Sequence, residues 1–218
     1  MKYIVWDWNG TLLDDVALCV EIMNSMLTKR GLPRLSQDRY REIFTFPVSD
    51  YYQAAGLDFR REPFEELAVE YISAYNPRAL RCGLHSGAQK VLDRLEAAGL
   101  GQLIASASER KALAGQVESC RIADRFQAIL GVGDVLGISK AGVAREYLES
   151  RGIPPEDVVF VGDTLHDVQT ADDIRCPCVL IAQGHQSRAR LEASGAPVLE
   201  DIGELPGFLE QSGFLASQ

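Results

Sequence analysis

Short apolar runs alternate with amphipathic stretches through most of this chain. Tyr3–Trp6, Gln102–Ala105, Ala128–Leu130, Val158–Val161 and Cys178–Ile181 are bounded by charged or glycine-rich turns, the pattern of buried strands. Between them lie helical patterns. Ser86-Gly87-Ala88-Gln89 reads as a capping-box start for a helix that buries Ala88, Val91, Leu92 and Leu95 and stops at Gly99. Lys140–Ser150, followed by Gly152, repeats the arrangement. Strand-then-helix alternation predicts an α/β fold, a doubly wound parallel sheet with helices on both faces. Its ligand site is then expected at the carboxyl ends of the strands.

One segment departs from that rhythm. From Asp15 to Arg81 helical patterns follow one another without a convincing strand. Val16, Val20, Met23 and Leu27 form one stripe, ended by Gly31. Phe64, Leu67, Ala68, Tyr71, Ile72 and Tyr75 form another, opened by Pro63 at the first helical position. The expected organisation is a core of residues 1–14 and 82–218 carrying an inserted helical cap domain over 15–81. Such a cap would act as a lid, hinged near Asp14–Val16 and Leu80–Gly83 where the chain crosses between the two bodies.

Composition narrows the function classes. With 218 residues, 46% of them hydrophobic, the chain can build a sizeable core. A net charge of −9 and a pI near 4.9 disfavour nucleic acid or an anionic membrane as partner. A small anionic substrate stays compatible, because one bound metal ion reverses the local field. No apolar run reaches the length of a membrane span, and Tyr3–Trp6 is too short for a signal peptide, so a cytoplasmic protein, monomer or homodimer, is expected. Cys19, Cys82, Cys120, Cys176 and Cys178 are odd in number, lack a Cys-x-x-Cys pair and read as reduced structural thiols.

The chemistry concentrates at strand ends. Asp7, closing the first strand and followed by Asn9 and the turn residue Gly10, is placed to act as nucleophile or metal ligand. Asp163 ends another strand, and Asp167 lies one turn into the next helix. Facing Asp7 across adjacent strands, these two carboxylates would complete an oxygen-rich Mg²⁺ site. Ser106, with the backbone N–H groups around Ala107, can donate to a phosphoryl oxygen. Lys140, at the mouth of the following helix, can neutralise phosphoryl charge and hold the nucleophile.

On these residues the chain resembles the haloacid dehalogenase-like hydrolases over essentially its whole length. Asp7-Trp8-Asn9-Gly10-Thr11 is similar to the family's first motif, Ser106 to its second, Lys140 to its third and Gly162-Asp163-x-x-x-Asp167 to its fourth. The insert resembles the small helical cap of the phosphoglycolate phosphatase and β-phosphoglucomutase-like subgroup. The resemblance implies a Rossmann-like core and Mg²⁺-dependent hydrolysis of a small phosphorylated metabolite, phosphoglycolate by analogy, through phosphorylated Asp7. Mg²⁺ would sit between the Asp7 carboxylate, the Asn9 carbonyl and Asp163, supported by Asp167 directly or through water. Phosphate would rest on Ser106, Ala107, Lys140 and Gly10.

Asn9 departs from the pattern, since phosphatases of this family usually carry Asp there as general acid and base. An amide cannot exchange a proton at neutral pH. Two readings therefore stand side by side: a phosphatase with handicapped proton transfer, and a non-catalytic member that binds a phosphorylated ligand. On the first reading, Asn9→Asp should raise turnover, unless His166 or His185 already moves the proton. A phosphonatase would need a cap lysine, and Lys29 alone is available. Arg39, Arg41, Thr45 and Phe46 are the cap side chains nominated to meet substrate.

Overall fold

The computed structural model describes residues 1–133 and 139–215. In chain order the elements are β1 (Tyr3–Trp6), α1 (Val16–Lys29), α2 (Gln37–Ile43), α3 (Val48–Ala54), α4 (Phe64–Ala79), α5 (Ala88–Ala97), β2 (Gly101–Glu109), α6 (Arg110–Ser119), β3 (Ala128–Val132), α7 (Lys140–Ser150), β4 (Val158–Gly162), α8 (Leu165–Ile174), β5 (Cys178–Ile181), α9 (Arg188–Glu192), β6 (Val198–Leu199) and α10 (Leu205–Gln211). All five expected strands are present. The sixth, β6, is two residues long and too short to leave a pattern in the sequence.

The strands pair in parallel in the order β3-β2-β1-β4-β5-β6. Alternate residues of β1 serve opposite faces: Ile4 and Trp6 pack with α5, α6 and α10, and Val5 packs with α7 and α8. Because both faces are covered, β1 and β4 are apolar at nearly every position, which is why they read as continuous runs. Strand order reverses between β1 and β4, and the carboxyl ends of a doubly wound sheet open a crevice at such a switch point.

Two local starts differ from expectation by one residue. Gly87, not Ser86, precedes α5, and its left-handed backbone (φ 85°) turns the chain so that no side chain caps the helix. Pro63 sits just before the first residue of α4.

Helices α1–α4 share an apolar cluster of their own, including Ile22, Met23, Leu27, Tyr40 and Leu67. The two chain crossings run side by side, with the Asp14 N–H donating to the Gly83 carbonyl at 2.9 Å. The loop after β5 grips the insert, since Arg41 donates to the Gly184 carbonyl at 3.0 Å and Gln186 to the Phe44 carbonyl at 2.9 Å. On α4 only Leu67 and Tyr75 of the predicted stripe are buried. Phe64, Ala68 and Tyr71 are half-buried and Ile72 is exposed, because this face borders a cavity between insert and sheet. None of the described helices is long and apolar enough to cross a membrane.

Candidate active site

The switch point gathers four predicted residues. Asp7 follows β1 and is tied to β4 by its N–H on the Val161 carbonyl at 2.8 Å. Asp163 follows β4. Its carboxylate accepts from the Thr11 hydroxyl at 2.7 Å and the His185 N–H at 2.6 Å. Asp167, in the first turn of α8, completes a capping box with Thr164 and also meets the Lys140 ammonium. Lys140 opens α7 behind the N-cap Ser139, and its Nζ donates to Asp7 Oδ1 at 2.5 Å. Gly10 is required at the turn, since it is left-handed (φ 75°) and a Cβ there would strike the Asp163 carboxylate and the His185 ring.

The electrostatics of this cluster are unbalanced. Three buried carboxylates have ligand oxygens within 4.8 Å of one another, and the one lysine among them pairs with Asp7 and Asp167. Burial, joined by the charges of Asp167 and Asp163, lifts Asp7 to about 8 against the opposing pull of Lys140. Burial raises Asp163 as well. For Asp167 burial acts upward too, but Lys140 and Thr164 outweigh it and hold the carboxyl below its ordinary value. The same carboxylates overcome burial at Lys140 and raise its pKa. A hard divalent cation would relieve this excess of negative charge. The Asn9 backbone carbonyl accepts no hydrogen bond among the described residues, which leaves it available as a further oxygen ligand.

The Asn9 side chain is fully engaged. Its Nδ2 donates to Asp15 Oδ2 at 3.0 Å and to the Tyr75 hydroxyl at 2.6 Å, and its Oδ1 accepts from the Ser108 hydroxyl at 2.8 Å. Tyr75 in turn donates to Asp15. His185 completes the group, with Nε2 3.3 Å from Asp15 Oδ1 and Nδ1 2.8 Å from the Tyr40 hydroxyl. Burial would push the His185 imidazole down, but the Asp15 carboxylate overrides it and lifts it to about 9. Burial acts on Asp15 in the opposite sense, and His185, Tyr75 and Asn9 prevail and keep it below the usual range. The sequence reading gives Asp15 only as the start of the insert, Tyr75 only as part of an apolar stripe and Thr11 only as part of the first motif, with no role in this network. The acidic pair Asp14-Asp15, a few residues after the first motif, is the one local sign that could have pointed to this network.

Other expectations sort by where side chains go. Ser106, Ala107 and Lys140 line the cavity. Gly10 does not offer its N–H to a phosphate, because Asp15 Oδ1 at 2.9 Å and the Leu13 carbonyl at 3.0 Å already take it. Of the nominated cap side chains, Phe46 alone lines the cavity, stacked on His166 with ring centroids 4.5 Å apart. Arg39 is exposed, and Arg41 is spent on backbone carbonyls of the loop after β5. His166 lines the cavity too, and burial followed by Lys140 holds its pKa down. Lys29 is exposed and pairs with Glu70 away from the cavity, so no cap lysine is in place for imine chemistry. The five cysteines are all free thiols.

Comparison with known proteins agrees with this layout. Residues 4–181 match the model of a family described as haloacid dehalogenase-like hydrolase. The chain is 24% identical to a phosphoglycolate phosphatase of Rhodobacter capsulatus, over 95% of this chain and 96% of the relative. It is 25% identical to an N-acetylmuramic acid 6-phosphate phosphatase of Pseudomonas aeruginosa, over 85% of this chain and 83% of the relative. A haloacid dehalogenase-like family hydrolase from Streptococcus pneumoniae superposes with a TM-score of 0.81 at 19% identity, over 96% of this chain and 98% of that one.

Proposed function

The chain belongs to the haloacid dehalogenase-like hydrolases, and we propose that it is a Mg²⁺-dependent phosphatase that works through phosphorylated Asp7. The observation that carries this reading is the junction of β1 and β4, where the buried carboxylate of Asp7, two further carboxylates and one lysine converge. Asp7, Asp163 and the Asn9 carbonyl would hold the metal. When bound, it supplies Lewis-acid polarisation of the phosphoryl group and screens charge on Asp7. Asp167 Oδ2 accepts three hydrogen bonds from Asp163 and Thr164 and Oδ1 meets Lys140, so it supports the site by fixing Lys140 and the turn after β4.

Lys140 steadies one Asp7 oxygen and leaves the other to attack phosphorus. The bond from phosphorus to the ester oxygen breaks and its electron pair leaves with that oxygen, which takes a proton from solvent to give the alcohol. Water then attacks the phosphorus of phosphorylated Asp7 and gives up a proton to solvent as the bond from phosphorus to Asp7 breaks, releasing inorganic phosphate and restoring the carboxylate. Ser106 and Ala107 lie where they can steady the transferring group. The relatives' names suggest small phosphorylated metabolites as substrates. Release of phosphate from acetyl phosphate with Mg²⁺, abolished by excess chelator, tests the reading. Absence of release from every phosphate tried would favour the non-catalytic, phospho-ligand-binding alternative.

The network around Asn9 reverses the simple expectation for Asn9→Asp. A carboxylate there would stand where the amide donates, about 3.0 Å from Asp15 Oδ2, with two N–H donors lost and like charges opposed. The single variant is expected to lose about 1–3 kcal/mol of stability and to gain no turnover. The swap Asn9→Asp with Asp15→Asn restores one amide and one carboxylate. It should recover stability and carry the rate gain, roughly tenfold or more, that a general acid supplies. Thermal unfolding and steady-state rates of both variants check this, and a rate gain in the single variant would contradict it.

A further inference from the structure

The cavity above Asp7 encloses about 390 Å³, within the range of small-molecule sites. Its far wall, built by the insert, is aromatic: three of the eight Phe and four of the seven Tyr of the chain line it, among them Phe46, Phe64, Tyr51 and Tyr71. Ile72, about half exposed, continues the apolar surface. The insert contributes no Lys, Arg, Glu or second Asp to the lining beyond Asp15, whose charge His185 balances. Among the described residues, Lys140 is the lone Lys or Arg on the lining and is shared between Asp7 and Asp167. Glu109 adds a negative charge. The substrate's organic part therefore meets rings and no free cation, so a carboxylate there would be desolvated without a counterion. Tyr51 supplies one polar feature, a buried hydroxyl without a hydrogen-bond partner among the described residues.

Asn9 points the same way from a different observation. With an amide at the position that would otherwise protonate the leaving oxygen, departure is easiest for an alcohol that leaves as its own stable anion. A phenol, with a pKa near 10, meets that condition, and an alkanol, near the value of about 16 for water, does not. Resting on the phosphatase reading above, we propose that the substrate class is the phosphate monoester of an uncharged phenol, its ring held by the cap aromatics. In the first step the Asp7 oxygen bonds to phosphorus while the phosphorus–aryl oxygen bond breaks and phenolate departs with the electron pair, taking its proton from solvent. In the second, water attacks phosphorus and its proton passes to solvent as phosphate leaves.

Two measurements separate this proposal from the reading beneath it. Calorimetry with Mg²⁺ present compares phenylphosphonate with phosphonoacetate, neither of which requires turnover. The expected result is at least roughly tenfold tighter binding of the phenyl compound, the gain from burying one ring against an apolar wall. Tyr71→Ala should weaken that binding by about the same factor, and Ile72→Arg, at a half-exposed position, should shift preference toward phosphonoacetate. Equal affinities, or phosphonoacetate bound more tightly by the wild type, overturn the aromatic class whatever the enzyme's rate. Kinetics then compares phenyl phosphate, 2-phenylethyl phosphate and acetyl phosphate. Equal kcat/KM for the phenyl and phenylethyl esters overturns the phenol assignment, since kcat/KM reads the step in which the ester bond breaks, whereas hydrolysis of phosphorylated Asp7 is common to both. If acetyl phosphate is hydrolysed and phenyl phosphate is not, the aryl-phosphate proposal fails while the phosphatase reading stands. If none is hydrolysed, the phosphatase reading and the proposal both fail.

Discussion

Asp7→Asn is expected to lower turnover at least about a thousandfold and to leave the fold intact. The amide is nearly isosteric, so the hydrogen bond from the Asp7 N–H to Val161 and the packing at the end of β1 are untouched. What disappears is the oxygen that bonds to phosphorus. Stability should move the other way. A carboxyl lifted to about 8 takes up a proton on folding near neutral pH, so its ionised form weighs against the folded state there. The amide removes that burden, and the metal-free variant should unfold at the same temperature as wild type or higher. Its stabilisation by Mg²⁺ should shrink, because one of the anionic ligands is gone. Residual activity above about a tenth of wild type would sink the assignment of Asp7 as nucleophile.

Lys140→Ala should cost both stability and rate. The ammonium is 3% exposed, lies over the Phe160 ring and bridges Asp7 and Asp167. Removing one member of a buried ion cluster typically costs about 3–5 kcal/mol, because the partners keep their desolvation penalty without the compensating charge. Here two carboxylates are left facing a third. Mg²⁺ should return part of the lost stability by supplying positive charge to the same oxygens. It should not return the rate, since the charge on the transferring phosphoryl group stays uncompensated on the Lys140 side, with an expected loss of roughly 10²–10³-fold. A calorimetric melt with and without Mg²⁺, paired with a rate on acetyl phosphate, separates the two effects. Wild-type turnover in the variant would remove Lys140 from the mechanism.

Lys140 and Asp7 were both legible in the sequence, and so was most of the sheet. Strands buried on both faces must be apolar throughout, so β1, β4 and β5 announce themselves without any partner in view. Strand ends in such a sheet share one edge, which makes Asp7 and Asp163 neighbours by topology alone. The start of α5 was misread for a local reason: a left-handed glycine after Ser86 moves the cap by one residue, and composition does not reveal φ. The stripe on α4 was misread for a wider one. Periodicity reports that a face is apolar, and it is silent on whether a core or a cavity meets that face.

The amino-acid sequence by itself therefore determined the parallel α/β core, the helical character of the insert and the four charged groups at the switch point. Each depends on local periodicity or on the position of a residue at a strand end. Only the tertiary structure decided the surroundings of Asn9 and the character of the cavity. Asn9 meets Tyr75 and Ser108 from distant parts of the chain, and its nearer partner Asp15 reaches it through a turn held by Gly10. The aromatic wall is assembled from several helices and loops of the insert, and its lack of a free cation emerges once Arg41 is seen bound to Gln183 and Gly184. The physical reason is that hydrogen-bond partners and counterions are set by distances of a few ångströms across the fold, which spacing along the chain does not encode.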